Sequence, residues 1–129
     1  MAKARLLAFL ICDDATRDRD GKVTLHGLFD RIIAPRSPRE ARLFFVYYRV
    51  VVTEPCTIAL RVTDPGGHRV PGNWRDKLTE LGPMQTVWAV TSTLLQQPGP
   101  YLLELIEDDE GVESLSLAQM RLTVEVGKD

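Results

Sequence analysis

Short runs of alternating apolar and polar residues, punctuated by turn-forming clusters, cover most of the chain. Cys56 to Thr63 alternates cleanly, with Ile58, Leu60 and Val62 on one side and Thr57, Arg61 and Thr63 on the other. That period of two belongs to a strand with one buried face. Lys22 to Ile33 reads as one strand with Val23, Leu25, Gly27 and Phe29 on one side and Lys22, Thr24, His26 and Leu28 on the other. Arg5 to Cys12 is almost continuously apolar, and Arg42 to Val52 is rich in aromatic and β-branched residues, both strand compositions. Strand character returns from Met84 to Leu95 around Val87 to Val90. Tyr101, Leu103 and Leu105 then alternate into Ile106. Met120, Leu122, Val124 and Val126 share one face of a last segment. No window sustains apolar positions at i, i+3, i+4 and i+7 for three turns, so no long helix is predicted.

Between these runs lie the turn signals. Asp18-Arg19-Asp20-Gly21 and Asp64-Pro65-Gly66-Gly67 supply residues that tolerate tight backbone conformations. Gln96 to Pro100 is a further turn, and Glu107 to Gly111 reads as an acidic hairpin loop. Ala34-Pro35-Arg36-Ser37-Pro38 cannot extend a ladder, because proline lacks the donor. Arg75 to Leu81 fits either a strand or a single helical turn. Roughly seven to eight short strands, with turns about every ten residues, predict an all-β fold: a two-layer antiparallel β-sandwich of immunoglobulin-like type.

At 129 residues, 44% hydrophobic and 26% charged, the chain fits one folded domain over residues 1–129. The net charge of -2 comes with no Lys/Arg stripe, so no nucleic-acid partner is expected. No run approaches a membrane span. Leu6 to Cys12 imitates a secretory segment, but it is short and bulky Ile11 precedes Cys12, where processing needs a small residue. A cytoplasmic location is therefore expected. In that compartment Cys12 and Cys56 should be free thiols. Asp13 and Asp14 beside Cys12 raise its pKa, which disfavours a reactive thiolate.

Recognisable chemistry is sparse. Asp18 and Asp20 suggest a calcium loop, yet the ligand spacing fails: counted from Thr16, the twelfth position is Gly27 rather than glutamate. His26 and His68 are the only histidines, and no zinc spacing is present. No nucleophile motif, phosphate cradle or cofactor motif appears, so the expectation is no catalytic residues, no metal and no cofactor. Asp13 and Asp14 point to opposite strand faces. One should cap the turn, and the other should meet Arg31. Asp30 and Arg31 also diverge, so a buried Asp–Arg pair would form across strands. Asp13, Asp14, Asp30 and Arg31 are thus assigned structural or interaction roles. Trp74, in a polar stretch, is the aromatic expected to be exposed. The leading functional expectation is a non-catalytic protein-interaction or self-assembly module using a sheet edge, a sheet face or loops. A face carrying Tyr48, Val50 and Val52 would suit self-association. The alternative is a small-ligand or carbohydrate binder using Trp74 and a tyrosine, with an enzyme third.

Ile11-Cys12-Asp13-Asp14, followed by Gly21 to Ile32 ending on Gly27-Leu28-Phe29-Asp30-Arg31-Ile32, resembles an uncharacterised bacterial family of small domains of unknown function. Pro98-Gly99-Pro100-Tyr101 resembles that family's closing Pro-Gly-x-Tyr strand. The resemblance implies an immunoglobulin-like β-sandwich. It implies no activity, substrate or cofactor.

Overall fold

The computed structural model describes residues 2–33 and 42–126. The Ala34-to-Pro38 breaker lies outside the described residues. The described residues form nine strands: β1 (Ala4–Arg17), β2 (Val23–Leu28), β3 (Arg31–Ile33), β4 (Leu43–Val52), β5 (Cys56–Thr63), β6 (Arg75–Leu78), β7 (Gly82–Thr91), β8 (Gly99–Glu107) and β9 (Leu115–Glu125). They form a four-stranded sheet, β2-β1-β4-β7, and a five-stranded sheet, β3-β9-β8-β5-β6. All pairs are antiparallel except β3 with β9. This is the layer plan of an immunoglobulin-like sandwich.

The core follows the alternation. Ile58, Leu60 and Val62 of β5 are buried, as are Leu103 and Leu105 of β8 and Leu122 and Val124 of β9. They meet Phe44, Val46, Tyr48, Val50 and Val52 of β4 from the other sheet. The face bearing Tyr48, Val50 and Val52 is therefore core, not the free surface expected from sequence. Tyr48 is fully buried, tilted against Trp88 with ring centroids 4.7 Å apart. Its hydroxyl donates to Asp76 Oδ2 at 2.6 Å. Burial first, then that carboxylate, pushes the phenol pKa well above its usual value.

The strand expected from Lys22 to Ile33 is broken in two, and the halves join different sheets. The break has a local cause. Gly27 sits at φ +70°, and a Cβ there would fall 2.5 Å from Asp13 Oδ2, so the position takes glycine and little else. After Leu28 the chain leaves β1 and crosses to β9, where Thr123 N–H donates to Asp30 O at 2.9 Å. Phe29 fills the corner, edge-on to Phe44 with centroids 5.8 Å apart. Of the undecided segment from Arg75, residues Arg75–Leu78 are strand. Ser92–Leu94 is a short 3₁₀ turn capped by the Thr91 side chain.

Two ion pairs of the five-stranded sheet engage partly buried carboxylates. Arg61 Nε and Nη2 donate to the two Glu104 oxygens at 3.2 and 3.1 Å, and Gln119 adds a third bond at 3.1 Å. Arg75 pairs with Asp108. The arginine hydrogen bonds, outweighing desolvation, hold the Glu104 and Asp108 pKa values below those of free carboxylates. A depressed folded-state pKa means stability present above the unfolded pKa and lost as pH falls through the folded one. Unfolding free energy should therefore drop below about pH 4. Glu104→Gln should flatten that acid limb, read from urea unfolding across a pH series.

Candidate interaction edge

A sandwich that does not close exposes strand edges, and each exposed edge invites pairing with another chain. Three edges here are blunted, while β2, the outer strand of the four-stranded sheet, has six residues. β3 has three residues and β6 four, too short to template much pairing. The free side of β7 is capped by side chains. Trp74 Nε1 donates to Ala89 O at 3.0 Å, and Arg17 Nη2 donates to Gln85 O at 3.2 Å. The second of these bonds exists because the β1–β2 hairpin folds back outside β4. Gln85 Nε2 reaches Gly21 O at the hairpin turn, and Tyr47 donates to Gln85 Oε1 at 2.6 Å. This cover buries Tyr47 on the side facing away from the core.

β1 differs. It pairs with β4 from Ala4 to Cys12, whereas β2 lines its other side only from Cys12 to Arg17. Phe29 N–H closes the boundary by donating to Ile11 O at 3.4 Å. From Arg5 to Leu10 no second strand is present among the described residues. A register irregularity falls between Leu6 and Ala8, and Leu7 and Leu10 remain 48% and 37% exposed. Arg5 is exposed as well. The first half of β9 is open in the same sense, since β3 meets it only at Thr123 to Glu125.

The residues singled out from sequence fall around this region without converging into one site. Asp13 pairs with Arg42 at 3.6 Å, and both are about half exposed. Asp14 accepts from Ala15 N–H at 2.9 Å, so it holds its own backbone and does not meet Arg31. Arg31 pairs instead with Glu125 at 2.8 Å across β3 and β9, and lies 4.0 Å from Asp30. The Arg31 and Asp30 side chains are 68% and 85% exposed. None of these four residues forms the expected buried Asp–Arg pair, and exposed pairs of this kind contribute little to stability.

Trp74 is half-buried against the core, its indole N–H committed to β7. It serves as an edge cap for β7. A depression of about 370 Å³ is lined by Trp74 itself with Arg61, Arg69, Arg75, Asp108 and Ser114, and two of these arginines are already paired. Cys12 and Cys56 are buried free thiols. Burial raises both pKa values, that of Cys56 to about 11, which keeps them protonated. No cluster of metal-ligating side chains occurs among the described residues, and no helix there is long and apolar enough to cross a membrane.

Sequence reasoning missed the open stretch of β1 because openness belongs to the neighbours. Only the end of β2 at Leu28, opposite Cys12, exposes it. Comparison with known proteins adds fold and family. The family of unknown function DUF6941 matches residues 7–118. The C-terminal domain of wzt aligns at a TM-score of 0.59 with 10% identity, over 100% of this chain and 77% of that one. An immunoglobulin-like protein from Pseudomonas aeruginosa, 15% identical, aligns at 0.43 over 96% of this chain and 98% of its own. No curated protein matches the sequence.

Proposed function

The chain belongs to the family of unknown function DUF6941, and from that premise we propose that it is a non-catalytic, cytoplasmic interaction module that binds protein through the open edge of β1. The observation that carries this reading is the contrast among edges. β7 is capped by Trp74 and Arg17, while Arg5 to Leu10 of β1 presents unpaired backbone flanked by exposed Leu7 and Leu10. Main-chain hydrogen bonds along such an edge supply affinity, and the alternate side chains supply specificity. The two unbridged cysteines support the cytoplasmic placement. The ligand-binding alternative loses support, because the Trp74 N–H it would use is already committed to Ala89 O.

The test is capture from native lysate with the tagged wild-type protein and with Leu7→Lys/Leu10→Lys, which sets charges on the edge without touching the core. A stoichiometric protein bound by the wild type and lost from an equally stable variant is expected. Equal capture by both proteins, or none by either alongside a monomeric wild type, would overturn the edge assignment.

A further inference from the structure

Resting on the edge reading above, we infer that the occupant of the β1 edge is a second copy of the same edge, antiparallel across a two-fold axis between Leu7 and Ala8. Three observations favour a second copy. The first is length. The open segment is bounded by β2 at Cys12 and by the start of β1 at Ala4, so it has room for a strand of its own extent. The second is charge. Arg5 stands at one end of the segment, exposed and without an ion-pair partner among the described residues. Asp13 and Asp14 stand just beyond the other end, both exposed. An antiparallel copy brings Arg5 of each protomer toward the acids of the other, whereas a parallel copy would set like charges together. The third is self-complementarity: β7 is capped and β3 and β6 are short, and pairing β1 with β1, rather than with the equally open half of β9, joins two like edges in a closed, isologous contact. The result is a continuous sheet running β7-β4-β1 into the partner's β1-β4-β7. The irregularity at Leu7 shortens flush pairing, and few residues take part, so the contact belongs with weak, reversible dimers.

Sedimentation velocity across a concentration series, on the full chain, tests this. The expected result is a monomer–dimer equilibrium that weakens with added salt. It should weaken at least about tenfold in Leu10→Lys, a change of roughly 1.4 kcal/mol. Arg5→Glu should also weaken it, and Arg5→Glu/Asp14→Arg should restore it, because the swapped charges again oppose each other. Thermal melts confirm that each variant folds. A wild type that stays monomeric throughout would overturn the second copy as occupant. Edge-dependent capture of a foreign protein would still uphold the interaction reading in that case, so the two failures are distinguishable. A dimer indifferent to Leu10→Lys and to both charge variants would place the contact elsewhere and overturn the inference.

Discussion

Glu107→Ala should destabilise the fold by about 3–5 kcal/mol, since two charge-assisted hydrogen bonds are lost and their donors stay partly buried. Glu107 is the last residue of β8 and only 5% exposed. Its Oε1 accepts from Lys3 N–H at 2.6 Å and from Ala4 N–H at 2.8 Å. These donors belong to the segment that enters β1, in the opposite sheet, so one carboxylate oxygen ties the two layers together at this end. A neighbouring tie reinforces it: Asp109 accepts from Thr57 N–H at 2.8 Å and pairs with Lys3 Nζ at 3.3 Å. The melting temperature should fall by about 10 °C or more. Glu107→Gln keeps an acceptor but not the charge, so it should recover part of the loss. An unchanged melting temperature in Glu107→Ala would show that this clip carries no weight.

Glu107 also marks a limit of what the sequence discloses. In the string Glu107-Asp108-Asp109-Glu110-Gly111 it reads as the first residue of a solvated acidic loop. Its burial comes from the opposite sheet, whose β1 start is 103 residues away in the chain. Local pattern registers alternation and turns, and it located β5 to the residue, the Asp18–Gly21 turn and, among the described residues, the absence of long helices. It could not register contacts set by how the sheets stack. The same limit governs β4, where Tyr47 and Tyr48 alternate equally well with either facing the core. Tyr48 faces inward, and the returning β1–β2 hairpin buries Tyr47 from outside. Asp30 and Arg31 show the converse. Because they diverge in a strand they suggest a buried pair formed across strands, but they lie at a corner on the rim, where water reaches them.

The corner itself yields the other large expected effect. Phe44→Ala should cost about 3–5 kcal/mol, the range for deleting a buried aromatic ring, measured by urea unfolding with an unchanged m-value. Phe44 is fully buried in β4, so part of the cost is lost core contact. The rest is specific to this chain. Phe29 meets the Phe44 ring edge-on at 79°, and the Arg42 guanidinium stacks over Phe29 at 5.6 Å from its centroid. This stack braces the crossing from β2 to β3, which Gly27 makes sterically feasible and which ends β2 early enough to leave β1 open. Phe29→Ala, at a half-buried site, should cost less. If the two rings brace the crossing jointly, the double variant should show a coupling energy of about 0.5–1.5 kcal/mol. Strict additivity would mean that Phe29 merely covers the corner. Measurable coupling would tie the Gly-Leu-Phe-Asp-Arg-Ile stretch to one physical task, switching the chain between sheets, and would make the open β1 edge a direct consequence of that switch.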